Sequence, residues 1–383
     1  MLRKDIPYAI ALEGGGAKGG YEVGVWKALR EEGIRYNAVS GTSVGALNGA
    51  LMVTGKYDEA VELWSSIKMS SLVAVEEKEG NELSKLFSGE FQLGQLADFV
   101  PKILSLIKGG GLDITPLKNL LRTTIDAAEL RDSEIPLFVT TLALTDRKPL
   151  EIRVNSLETD DQVYDMLLAS AYHPAFKNEP LSDGKQYLDG GVFDSFPIHA
   201  LIENGYRNII GVRLPGRGVE RPLRIPKDVS LTLVRPTVDI GKSLAFDAEK
   251  AKYLIKLGYF DTKKALYGLY GKKYYVERTL SDRNALDWLL DRFERDDAAD
   301  RPLRALIEEE IPGIAKRLGE RNGNYYEIMV AMLEEEAEMR NVEPFLIRTD
   351  IDLMRAIANV EIERRKNVKA AEPAAQTGKV VFV

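Results

Sequence analysis

The sequence predicts an α/β fold in which a mostly parallel central sheet is flanked by helices, followed by a largely helical C-terminal region. The first supporting observation is the short apolar run Tyr8–Leu12, which indicates a buried strand and leads through a glycine-rich loop into a helical pattern over Tyr21–Glu32. The second is the recurrence of this order, since a strand at Ala38–Ser40 leads through the turn Gly41–Gly45 into a helix over Ala46–Thr54. Strands and helices in alternation are typical of a parallel sheet.

The pattern continues beyond residue 130 with one helix, over Asp161–Tyr172, that is expected to end before Pro174. Further strands are predicted at Pro136–Leu144, Leu150–Val154, Tyr187–Asp189, Asn208–Leu214 and Val229–Val234. We expect residues 1–215 to form one domain, with residues 70–112 as an insertion and a candidate lid.

After Pro236 the pattern changes to helices alone. They are predicted over Leu244–Leu257, Phe260–Tyr270, Ala285–Phe293, Leu303–Leu318, Tyr325–Glu338 and Ile351–Glu363. Pro312 is expected to break or kink the fourth of these, because proline removes a backbone donor. Residues 216–365 are therefore predicted to be a mostly helical subdomain, and residues 366–383, rich in Ala, Pro and Lys, a flexible tail.

Composition excludes several classes of site. The 383-residue chain carries 52 Lys and Arg against 59 Asp and Glu, a formal net charge of −7. This balance argues against nucleic acid as the main partner, because phosphate binding needs a basic surface. The absence of cysteine excludes thiolate catalysis and cysteine zinc sites, and two histidines, His173 and His199, argue against a histidine-rich metal site. We expect neither a metal nor a cofactor.

The start of the chain shows no signal-peptide pattern, because the apolar stretch Ile6–Leu12 is short and stops at Glu13. No apolar run approaches the roughly 20 residues that a membrane span needs. We therefore expect a cytoplasmic protein that is at most peripheral at a membrane.

Gly41-Thr-Ser-Val-Gly45 fits the pattern G-x-S-x-G between a predicted strand and a predicted helix. In such a turn the serine is lifted clear of the sheet at a helix N-terminus, and side chains at the two glycines would clash with neighbouring backbone. Ser43 is therefore a candidate nucleophile. The alternative is an ordinary glycine turn in which the serine caps a helix.

The loop Gly14–Gly19 places bare backbone N–H groups at the start of a helix, where an oxyanion hole for acyl transfer belongs. It also fits G-x-G-x-x-G, so a nucleotide-binding module is an alternative of another class. That fingerprint expects an acid at the end of the second strand, whereas the nearest acids, Glu31 and Glu32, end the helix. The P-loop pattern does not fit, because no Ser or Thr follows Lys18.

Asp189-Gly-Gly191 begins at the end of the predicted strand, directly after Tyr187 and Leu188. An aspartate at a strand end can point into a cleft at the carboxyl edge of the sheet. The same tripeptide is also a common hairpin turn, which is the interpretation favoured when it is taken alone.

Together these motifs resemble those of the patatin-like phospholipase family, which carries a glycine-rich oxyanion loop, then G-x-S-x-G, then D-G-G or D-G-A in this order. The segment Ala169–Ala171, followed by Pro174 and Phe176, is similar to the family's segment upstream of the aspartate. The resemblance covers roughly residues 6–214 and is weaker over residues 244–275.

The resemblance implies a serine acyl hydrolase of the phospholipase A or lysophospholipase kind that cleaves fatty acyl esters at a membrane or micelle surface. Its implied catalytic pair is Ser43 and Asp189. Its implied oxyanion donors are the N–H groups of Gly14, Gly15 and Gly16, and its supporting residues are Lys18, Gly41, Gly45, Gly190 and Gly191. The family usually has arginine where Lys18 stands and asparagine where Ser195 stands, so the details at these two positions are not carried over.

The identity of the base leaves alternatives open. A free aspartate, with a pKa near 3.9, is a poor base for a serine hydroxyl, so a Ser-His-Asp α/β-hydrolase or an acyl transferase that uses His173 or His199 is an alternative. A dyad requires that Asp189 be desolvated, which raises its pKa.

The segment over residues 92–108 has the pattern of an amphipathic helix and is a candidate lid or interfacial segment, although a helix packed on its own core is the favoured interpretation. Its apolar side carries Leu93, Leu96, Phe99, Val100, Ile103, Leu104 and Ile107.

Overall fold

The computed structural model describes residues 3–88, 110–216, 218–295, 303–320 and 323–371. The chain divides into two compact units, Met1–Tyr267 and Gly268–Val383. The candidate lid over residues 92–108 lies outside the described residues.

The first unit is built on a seven-stranded sheet. Its strands β1 to β7 span Tyr8–Leu12, Tyr36–Thr42, Leu137–Ala143, Lys148–Arg153, Tyr187–Asp189, Asn208–Val212 and Ser230–Val234. They follow the order β4-β3-β2-β1-β6-β7, with β5 added against β3. β1, β2, β3, β6 and β7 are parallel, whereas β4 and β5 run antiparallel to β3. The predicted mostly parallel sheet is therefore confirmed.

Helices cover both faces of this sheet. The helices that the structure describes in this unit, α1 to α9, span Gly20–Glu31, Val44–Val53, Tyr57–Ser66, Glu77–Ser88, Thr115–Thr124, Ala127–Asp132, Asp160–Ser170, Ile198–Glu203 and Ala248–Tyr267. Alternate residues of β1 point to opposite faces. Ala9 and Ala11 pack with Leu201 of α8, whereas Leu12 lies on the α2 side, beside Gly49. All five residues of β1 are consequently buried.

α9 differs from the prediction, which placed two helices at 244–257 and 260–270. The structure has one helix through this region, and Gly258 does not interrupt it. A Cβ at Gly258 would overlap the carbonyl of Tyr21, and one at Gly24 would overlap the carbonyl of Ile255. The glycines therefore let α1 and α9 pack backbone to backbone.

The packing of α9 on α1 also places the boundary between the two units later in the chain than predicted. The sequence predicts that the first domain ends at residue 215, but β7 pairs with β6 and α9 packs on α1. Both elements therefore belong to the first unit, which ends at Tyr267.

The second unit is largely helical, as predicted. Its helices α10 to α14 span Asp282–Arg295, Leu303–Ala305, Ile311–Leu318, Tyr325–Met339 and Asp350–Ala371, and its strands β8 and β9 span Tyr275–Glu277 and Ile347–Thr349. A π-helical segment, Leu306–Glu310, leads into α12, where Pro312 stands in the first turn. Helix α14 extends past residue 366, where the tail was expected to begin, and residues 372–383 lie outside the described part. None of the described helices is long and apolar enough to cross a membrane.

Candidate active site

Ser43 lies between β2 and α2 in a conformation that side chains rarely adopt, with φ +56° and ψ −123°. The flanking glycines make this turn possible. A Cβ at Gly41 would overlap the Gly45 carbonyl, and one at Gly45 would lie 2.5 Å from the Leu12 carbonyl oxygen. The predicted steric reason for both glycines is therefore confirmed.

One side chain holds the backbone of this turn. Ser170, the last residue of α7, accepts the Ser43 N–H at 3.0 Å through its Oγ and donates to the Thr140 carbonyl at 2.8 Å. Ser170 is fully buried. Its hydroxyl thus joins the serine turn to β3.

The register of the sheet brings Asp189 to this turn. β2 pairs with β3 as far as Thr42 opposite Thr140, and β5 takes over the same edge of β3 with Asp189 opposite Thr141. The two strands approach from opposite directions, so Ser43 and Asp189 meet where they end.

The Asp189 carboxylate is fixed and buried. Its Oδ1 accepts the Gly191 N–H at 2.7 Å, and Gly190–Val192 form a 3-10 turn after it instead of the hairpin that Asp-Gly-Gly alone would favour. A Cβ at Gly190 would overlap the Thr140 carbonyl, so this glycine permits the close approach of the loop to β3.

Burial raises the pKa of Asp189 to about 6, while hydrogen bonding from the Ser43 side chain and the Gly191 N–H acts to lower it. Desolvation is the larger effect because it penalises the charged carboxylate. A base with a pKa near 6 suits proton abstraction at neutral pH far better than a free aspartate does.

The glycine loop lies against the serine, since a Cβ at Gly14 would be 3.3 Å from the Ser43 Cβ. The N–H of Gly14 donates to the Ser195 carbonyl at 2.8 Å, whereas those of Gly15 and Gly16 have no protein acceptor among the described residues. The Gly14 N–H is therefore engaged within the protein, which leaves the N–H groups of Gly15 and Gly16 as candidate oxyanion donors.

Two further positions shape this loop. Lys18 is buried, its ammonium donates to the Pro215 carbonyl, and burial lowers the pKa of the lysine. Ser195, where the family usually has asparagine, acts through its main chain, because its carbonyl holds Gly14 and its N–H donates to the Val219 carbonyl at 2.7 Å.

Glu31 and Glu32, the acids nearest to the position that a nucleotide site would need, lie at the end of α1 and not at the end of β2. Glu32 pairs with Lys263 and with Lys4, and these contacts lower its pKa to about 2. β2 ends at Thr42 and leads directly into the serine turn.

Among the described residues, no hydrogen bond joins either histidine to Ser43. The Nδ1 of His173 accepts the Ala175 N–H at 3.1 Å, so the neutral ring carries its proton on Nε2 and that nitrogen cannot take another from a serine. Burial lowers the pKa of His173. His199 lies 3.3 Å from the Asp194 carboxylate through its Nδ1.

Comparison with known proteins assigns the chain to a family, since the model of the patatin-like phospholipase family matches residues 10–202, half of its length. The chain belongs to this family. The glycine loop, the serine turn and the Asp189 loop all fall within the matched range.

Two relatives of this patatin-like protein are named an esterase and a lysophospholipase. Neuropathy target esterase sws of Drosophila melanogaster is 27% identical over 207 residues, which are 53% of this chain and 12% of the fly protein. Lysophospholipase NTE1 of Mycosarcoma maydis is 27% identical over 205 residues, 53% of this chain and 9% of that protein. The chain therefore matches only a small part of these much longer relatives.

A solved structure, that of VipD from Legionella pneumophila, aligns over 96% of this chain and 89% of its own with 15% identity and a TM-score of 0.41. This distant likeness adds nothing to the family assignment, which depends on the sequence match.

The contact of Ser170 with the serine turn is not predicted by the sequence of this patatin-like protein. The segment Ala169–Ala171 is similar to one in the family, but the hydrogen bond from the Ser43 N–H to the Ser170 hydroxyl joins residues 127 positions apart. No local pattern announces such a contact.

Proposed function

We propose that this chain hydrolyses fatty acyl esters of phospholipids or related lipids through an acyl-enzyme, with Ser43 as nucleophile and Asp189 as base. One observation carries the proposal: a serine on a strained turn lies beside a buried aspartate whose pKa is raised to about 6. Strained backbone and shifted carboxyl groups concentrate at active sites.

Acylation begins when Asp189 takes the proton of the Ser43 hydroxyl. The Gly191 N–H holds Oδ1, so Oδ2 is the oxygen left for this proton. The Ser43 oxygen attacks the ester carbonyl, whose negative charge is held by the N–H groups of Gly15 and Gly16 and favoured by the N-terminus of α2. The alcohol leaves with the proton from Asp189.

Deacylation repeats these steps with water. Asp189 takes a proton from a water molecule, whose oxygen attacks the acyl carbonyl. The tetrahedral intermediate collapses, the fatty acid departs, and Ser43 regains a proton from Asp189. The same carboxyl group thus alternates as base and acid.

The substrate class is supported by the family and by the names of the two relatives, which are an esterase and a lysophospholipase. Lipid esters collect in membranes and micelles, so we propose that a cytoplasmic protein acts at such a surface as a peripheral enzyme. Gly41, Gly45, Gly190 and Gly191 serve by allowing close backbone approach, and Lys18 by holding the segment after β6.

The test is release of fatty acid from micellar phosphatidylcholine and lysophosphatidylcholine, with Ser43→Ala as the control. The proposal predicts release by the wild-type protein and none above background by the variant. Equal release by both proteins, or none from any acyl ester tried, would overturn it.

A further inference from the structure

The Ser170 hydroxyl occupies a position at which three elements meet. Ser170 is the last residue of α7. Its hydroxyl accepts a hydrogen bond from the N–H of Ser43 at the β2–α2 turn and donates one to the carbonyl of Thr140 on β3. Both its donor and its acceptor capacity are used, at 2.8 Å and 3.0 Å, with no exposure to solvent.

We propose that Ser170 is a positioning residue for catalysis, which fixes the nucleophile relative to its base. This inference rests on the proposed roles of Ser43 and Asp189.

The geometry gives the hydroxyl this role because it connects the two halves of the pair. Ser43 is held through its own N–H. Thr140, which receives the hydroxyl proton, is followed by Thr141, the register partner of Asp189. A single side chain therefore ties the backbone of the nucleophile to the strand on which the base is aligned.

Strain at Ser43 makes this tie necessary. A serine at φ +56° stays in that conformation only when its surroundings hold it there. Without Ser170 Oγ the Ser43 N–H loses its partner, and the turn can relax toward ordinary backbone angles. Such a shift moves the Ser43 oxygen away from Asp189 and from the glycine loop.

The experiment compares Ser170→Ala with Ser40→Ala on a short soluble p-nitrophenyl ester. Ser40 is an equally buried serine whose Oγ donates to the Pro197 carbonyl at 2.8 Å, so it matches the substitution and the burial without contacting Ser43. We expect Ser170→Ala to lower kcat roughly 10- to 100-fold with KM little changed, because misplacement of reacting groups by about 1 Å costs on that order. Ser40→Ala should keep kcat within about threefold, since its bond holds no reacting group.

The pH profile supplies a readout that loss of packing would not move. Hydrogen bonding from Ser43 lowers the pKa of Asp189, so a displaced Ser43 should raise that pKa. The acid limb of kcat/KM in Ser170→Ala should therefore shift to higher pH, and that of Ser40→Ala should not. Ser170→Thr, which retains a hydroxyl, should restore most of the rate.

If Ser170→Ala does not fold, Ser170→Cys and Ser170→Thr decide the question, since the thiol keeps the volume but bonds weakly. The inference predicts a slow Cys variant and a fast Thr variant. Wild-type kcat in Ser170→Ala or Ser170→Cys, or an equal loss in Ser40→Ala, would overturn it. A Ser43→Ala protein as active as the wild type would instead overturn the proposed function.

Discussion

Asp189 pairs with Thr141 across the antiparallel β3–β5 ladder. The preceding residue of β3, Thr140, is the last to pair with β2, opposite Thr42. β5 therefore joins the edge of β3 at the point where β2 leaves it. This exchange of strands on one edge places a buried carboxylate beside the serine turn without any local sequence motif that joins them.

Replacing Asp189 separates the dyad from the triad. Asp189→Asn keeps the size and the Gly191 contact but removes the proton acceptor, so kcat should fall by roughly three orders of magnitude or more. The double variant His173→Ala, His199→Ala should keep most of its activity, because these side chains contact Ala175 and Asp194. Steady-state kinetics on a soluble ester measure both. An inactive, folded histidine variant beside an active Asp189→Asn would restore the triad or the acyl transferase.

The pH dependence follows from the state that Asp189 needs. Only the carboxylate can accept the Ser43 proton, so activity should rise with pH through the Asp189 pKa of about 6 and fall tenfold per unit below it. The measurement is kcat/KM on an ester substrate between pH 4 and 8, at pH values where the fold is retained, because kcat/KM reports the pKa of the free enzyme. Full activity at pH 4.5 would show that the acting base has an ordinary carboxyl pKa.

Ionisation of Asp189 should lower the stability of the fold, although activity requires the ionised form. Because the pKa of Asp189 is raised from 3.8 to about 6 by folding, its contribution favours the folded state at low pH and is lost as pH rises through 6. Asp189→Asn is neutral at every pH, so at pH 8 its free energy of unfolding should exceed that of the wild type by up to about 3 kcal/mol. Urea unfolding at pH 8 and pH 5 tests this. The gain should shrink at pH 5, and a variant less stable than the wild type at pH 8 would contradict the desolvation of Asp189.

Gly16→Ala tests the glycine loop. Gly16 has φ +56°, and a Cβ there would overlap the Ser243 carbonyl, so the substitution must displace the loop and its N–H groups. Loss of one oxyanion donor should lower kcat roughly 10²- to 10³-fold. Gly33→Ala is the matched control, because Gly33 has φ +67° with open space around it. It should cost about 1 kcal/mol of stability and leave kcat unchanged. Equal activity in both variants would remove the oxyanion role.

The first half of the site could be predicted because its signals are local. β1, the glycine loop, β2 and the serine turn follow one another within residues 8–45, and the steric need for Gly41 and Gly45 is a property of the turn itself. The prediction that Asp189 must be desolvated also agrees with the structure, since burial dominates its pKa.

The remainder depends on contacts between distant segments. The Ser195 carbonyl that engages the Gly14 N–H is 181 positions away. The single helix through Gly258, where two helices are predicted, depends on the close approach of the Tyr21 carbonyl on another helix. Ser170 had no recognisable role for the same reason. The role of a glycine or a serine depends on the residue that it contacts, and a single sequence does not identify a contact between distant segments.

The proposed mechanism requires that Ser43 forms the acyl-enzyme. A fluorophosphonate probe, followed by digestion and mass spectrometry of the labelled peptide, tests it most directly, with Ser43→Ala and Ser40→Ala treated alongside. We expect one modified residue, Ser43, labelling of Ser40→Ala at the wild-type rate, and no labelling of Ser43→Ala. A label on any other residue, or a Ser43→Ala protein that reacts as fast as the wild type, would contradict it.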